Sequence, residues 1–122
     1  MKTVAFTTLG CRVNQYDTDA MRGLFIQSGY TPVDFDEKAD IYVINTCSVT
    51  NMGERKSRQL IRKAKRTNED AYIIVTGCYA QLAPEAIATI DGVNLVIGTN
   101  NRHRVVELVE QLESTEKQIS IV

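Results

Sequence analysis

Hydrophobic positions along this chain switch between two rhythms. Val4 to Thr8, Ile41 to Asn45, Tyr72 to Thr76 and Asn94 to Ile97 are short β-branched runs that predict buried strands. Thr31 to Phe35 is shorter and contains Pro32, which predicts an edge strand. Between these runs the apolar residues recur at helical spacing. Met21, Leu24 and Phe25 mark a first helix from about Asn14 to Ser28, with Gly29 placed to close it. Thr50 or Asn51 caps a second helix running to about Thr67, after which Asn68 to Asp70 form a turn. Pro84 suits the first turn of a helix from about Ala83 to Ile90. Asn100 or Asn101 caps a last helix through Leu112. From Ser114 the chain is polar until Ile119 to Val122, which reads as a linker or an added strand.

Strands alternating with helices at this spacing predict an α/β fold: a five-stranded parallel sheet with helices on both faces. Right-handed crossovers favour the flavodoxin-like order 2-1-3-4-5. Residues 1–113 then form one domain, with 114–122 a linker. In that order strands 1, 3 and 4 are neighbours, and the chain's three cysteines, Cys11, Cys47 and Cys78, all follow their carboxyl ends. Neighbouring strands lie ~4.8 Å apart, so the outer two of three stand ~10 Å apart, a span that inward-leaning side chains can close. The carboxyl edge at a switch point is also where open α/β sheets bind ligands.

Composition narrows the chemistry. The 122 residues, 43% hydrophobic and 24% charged, are enough for one core and rule out a disordered chain. No apolar run approaches the ~20 residues that span a bilayer, and the N-terminus does not read as a signal peptide. The expected location is therefore cytoplasmic, where thiols stay reduced and an odd set of three cysteines reads as ligands or nucleophiles.

A single cysteine in such a place is usually a small buried hydrophobe. Three on equivalent positions just before helix starts are better explained as thiolates holding a metal, either an iron–sulfur cluster or zinc. In a [4Fe–4S] cube, three protein thiolates leave one iron open. Zinc wants a fourth ligand, and His103, the only histidine, lies on the same edge. A phosphatase-like nucleophile is excluded, because the sixth residue after each cysteine is Asp17, Gly53 or Pro84 and never arginine. A flavin phosphate site near Thr46, Ser48 and Thr50 stays open but is poorly supplied with glycine. Asn14, Asn45, Thr46 and Ser48 stand near the cysteines as candidate outer-shell hydrogen-bonding residues, with helix capping the plainer role for Asn14. Gly10 and Gly77 each precede a cysteine, where the lack of a side chain would let backbone N–H groups come close to a metal.

Net charge is −1, but seven of the fourteen Lys and Arg fall between Arg55 and Arg66. Arg55, Arg58, Arg62, Lys65 and Arg66 share an arc of roughly 100° on a 3.6-residue wheel, opposite Leu60 and Ala64, with Ile61 on the flank. An ordinary solvated face is one explanation, and a surface for nucleic-acid phosphates is the other. No aromatic residue interleaves the run, so base stacking there is not expected.

Leu9-Gly10-Cys11 with Val13, Asn14 and Asp17-Thr18, then Asn45-Thr46-Cys47, then Gly77-Cys78-Tyr79-Ala80-Gln81, resemble the N-terminal domain of the radical S-adenosylmethionine methylthiotransferases. The resemblance runs from Lys2 to about Leu112. The forms LGCRVNQYDT and INTCSVTN are most similar to the bacterial branch that acts on tRNA threonylcarbamoyladenosine. The resemblance implies that Cys11, Cys47 and Cys78 ligate an auxiliary [4Fe–4S] cluster whose open iron carries the sulfur or methylsulfide to be delivered. It implies a methylthio transfer to the adenine C2 of N6-threonylcarbamoyladenosine in tRNA. It further implies a second [4Fe–4S] cluster on a CxxxCxxC motif that cleaves S-adenosylmethionine, and a small C-terminal RNA-binding domain. The sequence has no CxxxCxxC, so this piece is expected to hold the auxiliary cluster without completing the reaction. The alternative is a stand-alone zinc module with a nucleic-acid-binding basic helix.

Overall fold

The computed structural model describes residues 3–8, 12–46, 51–77, 93–97, 105–113 and 120–121. In chain order these give β1 (Thr3–Thr8), α1 (Arg12–Gln27), β2 (Thr31–Val33), β3 (Ile41–Thr46), α2 (Asn51–Thr67), β4 (Tyr72–Gly77), β5 (Leu95–Ile97), α3 (Val105–Glu113) and β6 (Ser120–Ile121). The sheet is parallel throughout, in the order β2-β1-β3-β4-β5-β6. Its first five strands follow the expected 2-1-3-4-5 order. The sixth appends to the far edge, Leu95 facing Ser120 and Val96 facing Ile121, so Ser120–Ile121 is an added strand. The helix expected at residues 83–90 lies outside the described residues.

The two faces of the sheet carry separate cores, as the period-2 alternation of strand side chains requires. On one face Val4, Phe6, Ile41, Val43, Ile74, Leu95 and Ile97 pack with Met21 and Phe25 of α1 and Val105, Leu108 and Val109 of α3. On the other, Ala5, Tyr42, Ile44, Ile73, Val75 and Val96 pack with Ile61 and Ala64 of α2. The buried stripe of α2 is Ser57, Ile61 and Ala64, while Leu60 is half-buried. The expected roles of Leu60 and Ile61 are thus exchanged. Ile61 and Ser57 are one turn apart on the line to Ala64, and Leu60 lies to one side of that line.

Helix ends follow from local chemistry. At the end of α1, Gly29 (φ 94°) takes the left-handed conformation that only glycine adopts cheaply. Its N–H donates to the Ile26 carbonyl (3.1 Å) and that of Tyr30 to the Phe25 carbonyl (3.0 Å). These are the two bonds of a Schellman cap, and Tyr30 packs edge-on against Phe25 at 5.0 Å. At the other end α1 starts at Arg12, so Asn14 lies inside the first turn and not at the capping position expected for it. Asn94 extends the pairing of β4 and β5 by exchanging two 2.9 Å bonds with the Ile73 backbone, one through its own N–H and one through Oδ1.

Candidate metal centre

The carboxyl ends of β1, β3 and β4 are adjacent, and the chain leaves each of them toward a cysteine. Thr8 pairs with Asn45, Asn45 with Thr76, and Thr46 with Gly77. Cys47 follows Thr46 and Cys78 follows Gly77 directly, while Cys11 comes three residues after Thr8. Cys11, Cys47, Cys78, Ser48 and His103 themselves lie outside the described residues, as does the side chain of Asn14.

At these strand ends the sheet changes character. Thr8, Asn45 and Thr76 form one polar row across three strands, on the face that α1 covers. Asn45, Thr46, Thr76 and Thr18 of α1 are fully or almost fully buried. Polar groups in such a place need partners, and most are found. The Thr18 hydroxyl lies 2.6 Å from the Thr8 hydroxyl and accepts a hydrogen bond from Asn45 Nδ2 at 3.1 Å. The Thr46 hydroxyl donates to the Thr76 carbonyl at 2.7 Å, joining β3 to β4. Thr76 Oγ1 is buried and has no hydrogen-bond partner among the described residues.

Gly77 is required twice over. Its φ of 102° lies in the region that side chains avoid. A Cβ there would also run into the Thr46 carbonyl oxygen and come within 2.5 Å of Asn45 Oδ1 and 2.7 Å of the Thr46 nitrogen. The end of β4 thus lies against Asn45 and Thr46, bringing the residue before Cys78 onto the residue before Cys47. This close approach of two strand ends is the reason the structure gives for glycine at 77. An unpartnered buried hydroxyl and a strand end that tolerates no side chain both lie where the chain leaves the sheet toward its cysteines, whose three sulfurs are a donor set that fits a metal or an iron–sulfur group.

Sequence reasoning named Asn45 and Thr46 as neighbours of the site and Thr18 only as part of the family motif, and it missed Thr8 and Thr76. The signal for Thr18 was present. It stands three and seven residues before Met21 and Phe25, a polar residue on the apolar stripe of α1.

The basic residues fall on the outer side of α2. Arg55, Arg58, Arg62 and Arg66 are exposed, whereas Lys65 is half-buried and its Nζ donates to the Glu69 carbonyl at 2.7 Å. Lys63, on the same helix, pairs with Asp36. Four arginines therefore make the cationic surface, and Lys65 fastens the end of its own helix.

The class defined by this arrangement is a parallel α/β domain in which three adjacent strand ends each lead to a cysteine. Its sequence places it further. The family model described as "Uncharacterized protein family UPF0004" matches residues 3–98, and the chain belongs to that family. It is 51% identical over 120 residues to the threonylcarbamoyladenosine tRNA methylthiotransferase MtaB of Bacillus subtilis, covering 98% of this chain and 27% of that protein. It is 49% identical over 119 residues to the MtaB of Aquifex aeolicus, covering 97% of this chain and 29% of that protein. The ribosomal protein uS12 methylthiotransferase RimO of Trichodesmium erythraeum is 33% identical over 116 residues, covering 94% of this chain and 26% of that protein. The chain thus spans little more than a quarter of these relatives, and the resemblance to a methylthiotransferase N-terminal domain stands. Among the described residues no helix is long and apolar enough to cross a membrane.

Proposed function

We propose that this chain is the cluster-holding domain of a tRNA methylthiotransferase, with Cys11, Cys47 and Cys78 as thiolate ligands of a [4Fe–4S] group. The observation that carries this reading is the adjacency of β1, β3 and β4, whose carboxyl ends lead to the three cysteines. When bound, such a group supplies an iron without a protein ligand, where an exogenous sulfur species can be held for transfer. The chain's own residues do the rest. Thr8, half-buried, and Asn45 and Thr76, fully buried, form a polar floor, and Gly77 lets the ends of β3 and β4 approach closely. The substrate reading, the adenine C2 of threonylcarbamoyladenosine in tRNA, is supported by the names of the two MtaB relatives. On the same reading, a second cluster, S-adenosylmethionine cleavage and further RNA-gripping elements belong to other parts of the complete enzyme, which works in the cytoplasm. Arg55, Arg58, Arg62 and Arg66 would supply sequence-independent attraction for tRNA phosphates.

Anaerobic reconstitution with iron and sulfide tests the proposal. The expected product is brown, with broad visible absorption, and the colour is lost in Cys11→Ala, Cys47→Ala and Cys78→Ala. Tight, colourless zinc uptake with no iron retained would replace this reading by the zinc module. For the arginines, Arg58→Glu with Arg62→Glu is expected to weaken tRNA binding evenly across sequences. It should also flatten the salt dependence by ~0.7–0.9 log units per log unit of salt for each phosphate no longer neutralised.

A further inference from the structure

The Thr18 hydroxyl of α1 is bonded to the ends of two strands at once. It meets Thr8 at the end of β1 and Asn45 near the end of β3, two residues paired across the sheet. Asn45 in turn lies against Gly77 at the end of β4, and Thr46 holds the Thr76 carbonyl. One chain of contacts therefore runs from α1 through all three cysteine-bearing strand ends. An apolar residue at 18 would fill the same space but take this partner from the buried Asn45 Nδ2 and from the Thr8 hydroxyl. What the hydroxyl adds is direction: a hydrogen bond fixes distance and angle where apolar packing fixes only proximity.

We propose that Thr18 is a positioning residue that sets the relative placement of the segments leading to Cys11 and Cys47, and through Asn45 and Gly77 that of Cys78. The inference rests on the reading of the three cysteines as one ligand set. Thr18 acts through the strand ends and need touch nothing that is bound. Its loss should separate the thiols without removing any of them.

Arsenite reports on thiol convergence with no cluster present, since As(OH)3 and three thiols condense to one tri-thiolate arsenic with release of three waters. The affinity of the reduced chain for arsenite is measured for the wild type, Thr18→Val, Thr18→Ser and Ile41→Val. Ile41→Val trims the core at the opposite end of β3, and thermal melts show which variants are folded. Thr18→Val is expected to bind arsenite ~10-fold or more weakly, the range typical for losing a partner that orients ligands. Thr18→Ser, which restores the hydroxyl, and Ile41→Val should stay near wild type. Equal affinity in wild type and Thr18→Val overturns the inference, as does weakening in Ile41→Val that matches its loss of stability. A wild type that engages fewer than three thiols overturns the ligand-set reading itself. Thr8→Val carries the same test from the other partner of the hydrogen bond should Thr18→Val not fold.

Discussion

The two halves of β3 are equally buried and chemically opposite. Ile41, Tyr42, Val43 and Ile44 are completely enclosed, and so are Asn45 and Thr46, whose side chains are polar. In the first half burial itself is stabilising, at ~25 cal/mol per Å² of apolar area removed from water. In the second half, burial costs desolvation that hydrogen bonds only offset. A strand optimised for stability alone would have stayed apolar to its end. The same switch occurs in β1 at Thr8 and in β4 at Thr76, in register with Asn45. Three neighbouring strands thus give up apolar content at one level, two or three residues before each cysteine.

The sharpest way to break this contrast is to damage each half and compare stability with thiol convergence. Phe25→Ala removes a ring that packs on Phe6 and Tyr30 in the apolar half. It should cost about 3–5 kcal/mol in a urea titration. Any fraction still folded should keep its arsenite affinity. Gly77→Ala forces a side chain into a left-handed conformation and against Thr46, and should cost about 3 kcal/mol while also lowering arsenite affinity. Thr76→Val tests the opposite sign. It replaces a buried hydroxyl that lacks a partner among the described residues with a methyl group of the same shape, and should stabilise the metal-free chain by about 1 kcal/mol. A destabilised Thr76→Val chain would show that the polar row is ordinary structure. Lys63→Ala, which breaks an exposed ion pair with Asp36, should change stability by less than about 0.5 kcal/mol and leave the thiols untouched.

How much of this is legible in the sequence depends on whether a residue's role is local. The β-branched runs, the Gly29 cap and the placement of each cysteine after a strand are local patterns, and the parallel order follows from them through handedness. The basic face of α2 is also periodic, but a helical wheel groups Lys65 with the arginines because it shows direction and not that a lysine has bent to Glu69. The wheel favours Leu60 over Ile61 for the buried face because the centre of a stripe moves when Ser57 belongs to it, and serine carries no apolar signal. Capping preference points to Asn14 for the start of α1, and the helix begins two residues earlier. Thr8, Thr18 and Thr76 are illegible as a set, since nothing in the sequence states that residues 8, 18, 45 and 76 share a level. Register creates that relation, and register appears only once the sheet is assembled.

The pairing of β1 with β3 joins Val4 to Ile41, and that of β3 with β4 joins Ile41 to Tyr72. Contacts so distant along the chain carry a loop-closure cost and exist only once the sheet is assembled. A nascent or denatured chain therefore presents its sulfurs as separate, unrelated thiols. A group bound by all three sulfurs would therefore bind the folded chain in preference to the unfolded one, and so would raise its melting temperature.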